Sequence, residues 1–220
     1  MVLKSKFIPI LLFFLFASCK YNNHTNFSYL ALGDSYTIGE GVDEENRYPN
    51  ILVQELTKQG VNFNNPRIIA KTGWTTDELN DSLNLSVFNT KYDYVSLLIG
   101  VNNQYRGLSS YIFEKEFTQL LSRSINYSKN KSNVFVLSIP DWGSTPFADK
   151  RNKIAISDSI DVFNQLIKKV CFENNIKFFN ITDISREAEF YSDLIAGDSL
   201  HPSGIMYKKW IYKILNEWKI

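Results

Sequence analysis

The sequence predicts an α/β fold, in which a parallel β-sheet is covered on both faces by helices. Two observations lead to this prediction. Five short runs rich in apolar, β-branched or aromatic residues are each bounded by Gly, Pro, Asn or Asp, as expected of strands. Longer segments with apolar residues at helical spacing lie between them. Strands that alternate with helices of this length form parallel βαβ units, which bury both faces of the sheet.

The predicted elements follow one another without a linker. The five strands are Tyr29 to Leu32, Arg67 to Ala70, Tyr94 to Ile99, Val134 to Ile139 and Lys177 to Ile181. Helical spacing covers residues 48–56, 113–125, 160–170 and 205–218, and the last of these segments has a broad apolar stripe. No proline-rich or glycine-rich stretch divides residues 27–220, so we predict one domain large enough for a full core.

Residues 1–18 are predicted to be a signal peptide. Lys4 and Lys6 give it a basic start, and Phe7 to Phe16 form an apolar run interrupted by Pro9. Because a membrane-spanning helix needs about 20 apolar residues, this run is typical of a signal peptide rather than of a transmembrane helix. The sequence therefore predicts an exported protein.

Cys19 follows the small residues Ala17 and Ser18, and this pattern resembles the lipobox of bacterial lipoproteins. The resemblance implies that Cys19 is lipid-modified and becomes the mature N-terminus, although Phe16 stands where the pattern usually has Leu. The polar residues 19–26 are then a tether to a membrane of the bacterial cell envelope, periplasmic or facing the cell surface. An ordinary secretory signal, in which the cysteine has no role, is the alternative.

The composition excludes some classes of partner and cofactor. The chain has 24 basic and 23 acidic side chains, with no basic stripe that would indicate nucleic-acid binding. It has two histidines and no cysteine cluster, so we expect neither a metal site nor a cofactor. Cys171 falls in a helical segment and is predicted to be a buried small residue rather than a nucleophile.

Polar or glycine-containing turns follow four of the predicted strands. Gly33-Asp34-Ser35 comes directly after the first, Gly73 after the second, Gly100-Val101-Asn102-Asn103 after the third and Asp141-Trp142-Gly143 after the fourth. In open α/β sheets, ligands bind beyond the carboxyl ends of the strands. We therefore expect these turns to meet at one edge of the sheet.

Ser35 and His201 have the residue types of a nucleophile and its base. A serine hydroxyl needs a base, and an imidazole works best when a carboxylate holds its tautomer. Asp198 lies three positions before His201, so one turn can bring the carboxylate beside the ring. The other histidine, His24, lies in the predicted tether. Asp34 is predicted to accept hydrogen bonds from loop N–H groups rather than to act as a base.

Three donors are candidates for an oxyanion hole: the backbone N–H groups of Ser35 and Gly73, and the side-chain amide of Asn102. Such donors often make the largest electrostatic contribution to acyl transfer. Glycine at position 73 permits a sharp turn and a close approach of the substrate to the main chain.

These motifs resemble the four signature blocks of the SGNH hydrolase superfamily, the GDSL esterase and lipase family. The family has a serine in Gly-Asp-Ser, a glycine, an asparagine in Gly-x-Asn-Asp and a histidine in Asp-x-x-His. Ser35, Gly73, Asn102 and His201 match these blocks in order. The resemblance implies a flavodoxin-like, three-layer α/β/α sandwich around a five-stranded parallel sheet. It also implies a carboxylic ester hydrolase with Ser35, His201 and Asp198 as its triad.

Two positions depart from the family pattern. Tyr36 replaces the leucine that often follows the motif serine, and Asn103 replaces the aspartate of Gly-x-Asn-Asp. Because the resemblance assigns the oxyanion role to Asn102, we expect Asn103 to change a supporting hydrogen bond rather than the chemistry.

Aromatic residues in the loops expected around Ser35 predict a substrate site with aromatic walls. They are Tyr36, Trp74, Tyr105, Trp142 and Phe147. Such walls suit an acyl chain, an aryl ester or a sugar ring, so a carbohydrate O-acetylesterase and a lipase or lysophospholipase both stay open. Arg106 could meet a charged group of the substrate or lie solvated in its loop. A non-catalytic surface binding module on the same scaffold is the alternative from another class, and Asn103 is its only support in the sequence.

Overall fold

The computed structural model describes residues 26–218. The predicted signal peptide (1–18), the predicted lipidation site Cys19 and all but the last residue of the predicted tether (19–26) lie outside the described residues. The described chain is built around a parallel sheet with the strand order β2-β1-β3-β4-β5. The strands are β1 Tyr29–Gly33, β2 Arg67–Ala70, β3 Tyr94–Leu98, β4 Val134–Leu137 and β5 Lys177–Phe179.

Helices connect the strands and complete the outer layers. Those of residues 26–218 are α1 Ser35–Ile38, α2 Tyr48–Lys58, α3 Thr76–Leu85, α4 Val101–Tyr105, α5 Ser110–Tyr127, α6 Lys153–Glu173, α7 Thr182–Arg186 and α8 Gly204–Glu217. Within the described residues, no helix has the length and apolar character needed to cross a bilayer.

The strand order distributes the helices over the two faces of the sheet. Crossovers between parallel strands are right-handed, so the step from β1 to β2 places α2 on one face, while the steps from β2 onward place α3, α5 and α6 on the other. The contacts agree with this arrangement, because α2 packs against α8, whereas α5 packs against both α3 and α6. The predicted three-layer α/β/α fold is therefore confirmed.

The carboxyl ends of the first three strands lie at one level. Gly33, the last residue of β1, pairs in register with Ala70 of β2 and with Leu98 of β3, which also end their strands. The segments that leave these strands, which begin with Asp34, Lys71 and Ile99, therefore start side by side.

The core accounts for the elements that the sequence predicted. The residues of β1 and β4 are all buried, and the stripe of α8 buries Trp210 and Ile211 completely. Cys171 is buried in α6 as predicted, and burial raises the pKa of its thiol to about 12. Because the thiolate is the nucleophilic form, this cysteine is unreactive near neutral pH.

Candidate active site

Residues from four strand ends and from the loop before α8 line one cavity of about 220 Å³. They are Ser35, Tyr36, Thr72, Gly73, Val101, Asn102, Tyr105, Trp142, Phe147, Leu200 and His201. The direction of strand addition reverses between β1 and β3, and such a switch point is where open α/β sheets bind ligands. The structure thus brings Ser35, Gly73, Asn102 and His201 to a single cavity, although 166 positions separate the first from the last.

Ser35 lies at the turn from β1 into α1. Asp34 caps the helix, since its Oδ1 accepts a hydrogen bond of 3.0 Å from the backbone N–H of Tyr36. This cap ends the strand and makes Ser35 the first helical residue. Ser35 is only 4% exposed, and the exposed part faces the cavity.

The Asp198 carboxylate organises the loop before α8. Its Oδ1 accepts hydrogen bonds from the backbone N–H groups of Leu200 and His201, both 2.9 Å long, and its Oδ2 lies 2.5 Å from Nδ1 of His201. Ser199, between them, has a φ of 67°, which closes the turn tightly. One side chain therefore fixes both the backbone of the loop and the orientation of the imidazole.

The charge on Asp198 is stabilised by this arrangement. Burial disfavours the charged form, but the hydrogen bonds from the backbone and ring of His201 and from the N–H of Leu200 outweigh it and lower the pKa of Asp198. With Asp198 ionised, Nδ1 of His201 carries the proton that the carboxylate accepts, which leaves Nε2 as the basic nitrogen in the neutral ring.

Contacts from α1 and α8 hold His201 near the turn that contains Ser35. The rings of Tyr36 and His201 pack edge to face, with their centroids 5.6 Å apart. The hydroxyl of Tyr207 in α8 donates a hydrogen bond of 3.0 Å to the carbonyl oxygen of Tyr36. The last helix is thereby joined to the residue that follows Ser35.

Gly73 and Asn102 face the cavity, the first from the loop after β2 and the second from α4. Gly73 has a φ of 86°, a conformation that favours glycine. Asn102 Nδ2 donates a hydrogen bond of 2.9 Å to the carbonyl oxygen of Trp74 and carries a second proton. The amide of Asn102 is therefore oriented by the loop that contains Gly73.

Asn103, which replaces the family's aspartate, points away from the cavity. Its Oδ1 accepts a hydrogen bond from the backbone N–H of Thr76, and its Nδ2 donates to Thr76 Oγ1. The hydroxyl of Thr76 in turn donates to the carboxylate of Glu116. Asn103 therefore connects α4 to the start of α3.

Three of the predicted aromatic residues form a wall on one side of the cavity. The rings of Tyr105, Trp142 and Phe147 contact one another, with centroids 5.4 to 6.5 Å apart. The guanidinium carbon of Arg151 lies 5.2 to 5.4 Å from all three ring centroids, and its Nη2 donates to the Tyr105 hydroxyl. Arg151 therefore stabilises the wall through cation–π contacts without lining the cavity itself.

Trp74 differs from the prediction, because it does not line the cavity. Its side chain is half-buried against the hydrophobic core, and its contribution to the site is its carbonyl oxygen, which holds Asn102. Thr72, Val101 and Leu200 line the cavity but were not predicted. Each of the three precedes a predicted site residue in the sequence, and this adjacency is the only feature of the sequence that could have indicated them.

Asp34 is a fully buried carboxyl group next to Ser35. Its Oδ2 is enclosed and has no hydrogen-bond partner among residues 26–218. Burial raises its pKa to about 7, although the backbone N–H groups of Tyr36, Asp34 itself and Gly100 favour the charged form. Its position supports the predicted role as an acceptor for the turn rather than as a base.

The described part of the chain contains no group of three or more His, Cys, Asp or Glu side chains that could hold a metal ion. The site itself combines the imidazole of His201, the ionised carboxylate of Asp198, the hydroxyl of Ser35 and several N–H donors. This set of groups can perform acyl transfer without further components.

A comparison with protein-family models gives one match, which covers most of the chain. The model of the GDSL-like lipase/acylhydrolase family matches residues 31–209. No curated protein matches the chain by sequence.

Several solved structures share the fold. An acetylxylan esterase, Axe2 from Geobacillus stearothermophilus, superposes with a TM-score of 0.67 at 18% identity, over 88% of this chain and 94% of Axe2. LAE5, an α/β hydrolase enzyme from the metagenome of Lake Arreo, superposes with a TM-score of 0.66 at 18% identity, over 88% of this chain and 96% of LAE5. The psychrotrophic esterase EstA from Pseudoalteromonas sp., in a structure inhibited by monoethylphosphonate, superposes with a TM-score of 0.63 at 17% identity, over 87% of this chain and 96% of EstA.

The raised pKa of Asp34 predicts a pH-dependent stability. Between about pH 4 and pH 7 the native state keeps the Asp34 proton while the unfolded chain releases it, so this group makes the free energy of unfolding fall as the pH rises. Asp34→Asn keeps an acceptor for the Tyr36 N–H but does not titrate. In urea unfolding from pH 4.5 to 8, the free energy of wild type minus that of Asp34→Asn should therefore decrease up to about pH 7 and then level off.

The difference between the two proteins cancels the effect of all other carboxylates. Asp81→Asn, at an exposed position of α3, is the matched control for the loss of one negative charge. A difference between wild type and Asp34→Asn that does not vary with pH would contradict the raised pKa.

Proposed function

The chain belongs to the GDSL-like lipase/acylhydrolase family, and from this we propose that it is a serine esterase with Ser35 as its nucleophile. The observation that carries the proposal is that Ser35 and His201 line one cavity while the His201 ring is hydrogen-bonded to Asp198. A nucleophile, a base and a carboxylate that orients the base are the three parts of the triad mechanism.

In the first half of the reaction, Ser35 Oγ attacks the ester carbonyl carbon. His201 Nε2 takes the hydroxyl proton, and Asp198 stabilises the resulting imidazolium. The carbonyl oxygen becomes an oxyanion that the N–H groups of Ser35 and Gly73 and the amide of Asn102 stabilise. When the tetrahedral intermediate collapses, His201 returns the proton to the leaving alcohol, and the acyl group stays on Ser35.

In the second half, water replaces the alcohol. His201 accepts a proton from the water, whose oxygen attacks the acyl carbon, and the same donors stabilise the second oxyanion. Collapse breaks the bond to Ser35 Oγ, and His201 returns the proton to it. The products are an alcohol and a carboxylic acid, so no cofactor enters the balance.

The size of the cavity favours a short acyl group. Its volume of about 220 Å³ is below the roughly 300–1,000 Å³ of sites that enclose a drug-sized ligand. A long acyl chain would therefore leave most of its methylene groups in water. We infer that the natural substrate is an ester of a short acid, and the aromatic wall of Tyr105, Trp142 and Phe147 suits a ring-containing alcohol such as a sugar. The acetylxylan esterase among the fold neighbours is compatible with this carbohydrate O-acetylesterase assignment.

We also propose that the enzyme is exported and anchored to a membrane of the bacterial cell envelope through a lipid on Cys19. The support is the sequence alone, namely a basic start, a short apolar run and the small residues Ala17 and Ser18 before the cysteine.

A fluorophosphonate probe tests the nucleophile. We expect wild type to be labelled and Ser35→Ala to be unlabelled, with a kcat lower by a factor of the order of 10⁶, because the attacking oxygen is lost. Ser122→Ala, at an exposed serine of α5, is the matched control and should be labelled like wild type. Labelling of Ser35→Ala at the wild-type rate would remove Ser35 from the role. Folded wild type that is neither labelled nor active on any ester would favour the non-catalytic binding module.

A series of p-nitrophenyl esters tests the acyl preference. We expect kcat/KM to be highest for acetate or butyrate and to fall for octanoate and palmitate, because the cavity cannot enclose the longer chains. Phe147→Ala should extend the range to longer chains by removing part of the wall, whereas Phe172→Ala, at an exposed position on α6, should not. A preference of wild type for palmitate would support the lipase alternative.

Mass spectrometry of the mature protein tests the anchor. We expect an N-terminal peptide that begins at Cys19 and carries acyl groups. An N-terminus at another residue, or an unmodified Cys19, would support the ordinary secretory signal.

A further inference from the structure

The loop that contains Gly73 is held by two side chains, one from α4 and one from Arg106, the residue that caps the end of α4. Nη2 of Arg106 donates a hydrogen bond of 2.6 Å to the carbonyl oxygen of Gly73, and Nδ2 of Asn102 donates one of 2.9 Å to that of Trp74. The backbone N–H of Arg106 bonds to the carbonyl oxygen of Asn102, so the two residues lie one helical turn apart on the same face. Two successive carbonyl groups of the loop are therefore fixed from the helix that supplies the predicted oxyanion amide.

Arg106 also connects this loop to the start of α3. Its Nη1 lies 3.4 Å from Glu78 Oε2, and Glu78 accepts a hydrogen bond of 2.9 Å from the backbone N–H of Thr75. That hydrogen bond, together with the charge of Arg106, lowers the pKa of Glu78, so the carboxylate is ionised beside the guanidinium. Both side chains are nearly half exposed, so the ion pair adds little stability, and its effect is on geometry.

Side-chain packing supplies little restraint at Gly73. Glycine populates positive φ as readily as negative φ, and a Cβ added to Gly73 would meet only one atom within 4 Å, Nη2 of Arg106. An oxyanion donor must be held at about 2.7–3.1 Å from the developing charge before the reaction begins. The turn around Gly73 is closed by a hydrogen bond of 3.2 Å from the backbone N–H of Trp74 to the carbonyl oxygen of Lys71, and Arg106 is the side chain that bonds to the Gly73 carbonyl oxygen itself.

We propose that Arg106 is a positioning residue for the oxyanion hole, which it serves by fixing the conformation of Gly73. The proposal rests on the proposed esterase function, in which the Gly73 N–H is a donor. Arg106 is then not a receptor for a charged substrate, since one Nη group is bonded to the Gly73 carbonyl oxygen and the other faces Glu78.

The test compares Arg106→Ala and Arg106→Lys with a matched control, Arg123→Ala. Arg123 in α5 also donates to a backbone carbonyl oxygen, that of Asn80 in α3, and not to the loop of Gly73. The readouts are kcat and KM for the neutral substrate p-nitrophenyl acetate, the melting temperature, and the rate of fluorophosphonate labelling.

For Arg106→Ala we expect kcat to fall by about 10-fold to 100-fold, which is no more than the fall in kcat when a whole oxyanion donor is removed. KM should change by less than about 2-fold. Labelling should slow in parallel. Arg106→Lys should retain an intermediate kcat, and millimolar guanidinium should raise the kcat of Arg106→Ala but not that of wild type. Arg123→Ala should keep the wild-type kcat.

Three results would overturn the proposal. The first is an unchanged kcat in Arg106→Ala, and the second is a change confined to KM. The third is a loss of kcat in both Arg106→Ala and Arg123→Ala that follows the decrease in the melting temperature of each variant. Labelling of wild type separates this failure from a failure of the esterase function. If wild type is labelled and Arg106→Ala turns over at the wild-type rate, only the role of Arg106 is wrong. If folded wild type is not labelled and hydrolyses no ester, both proposals fall.

Discussion

The geometry of the site depends on the close approach of β3 to β1 at Gly33. Gly33 pairs in register with both Ala70 and Leu98, and a Cβ in its place would collide with the carbonyl oxygen of Leu98. Ser35 and Asn102 follow these two strands within four residues. Any side chain that separated the strands at this point would therefore move the proposed nucleophile relative to the proposed oxyanion amide.

The remaining groups reach the site through the last part of the chain. The loop of Asp198 and His201 closes on itself, since the backbone N–H of Ala196 bonds to the carbonyl oxygen of His201. It is also tied to the aromatic wall, because the backbone N–H of Phe147 donates to the carbonyl oxygen of Ser199. A backbone hydrogen bond thus joins the wall that would contact the substrate to the loop that would supply the base, which favours a fixed distance between the bound ester and the imidazole.

The sequence predicted most of the fold because the strands and long helices have clear periodicity. The bounds of β2 agree with the prediction, and α5 and α6 extend beyond the predicted segments. The five-residue helix α4 was not predicted, since it is too short to show a repeat, and the ten-residue α3 was missed because most of its residues are polar. Local motifs located the candidate site residues, but the approach of His201 to the turn of Ser35 depends on contacts such as that between Tyr207 and Tyr36, 171 positions apart. From the sequence, Arg106 could either meet a charged group of the substrate or lie solvated in its loop. The structure shows a different contact, a hydrogen bond to the carbonyl oxygen of Gly73.

The exchange of the family's aspartate for Asn103 has a local physical reason. Thr76 Oγ1 can donate only one hydrogen bond, and it donates to Glu116. An aspartate at position 103 would compete with Glu116 for that proton and would place a second carboxylate near the first. The amide of Asn103 avoids both costs, because its oxygen still accepts from the Thr76 N–H while its nitrogen donates to Thr76 Oγ1. The amide of Asn103 therefore maintains a contact between α4 and α3 directly beside Asn102.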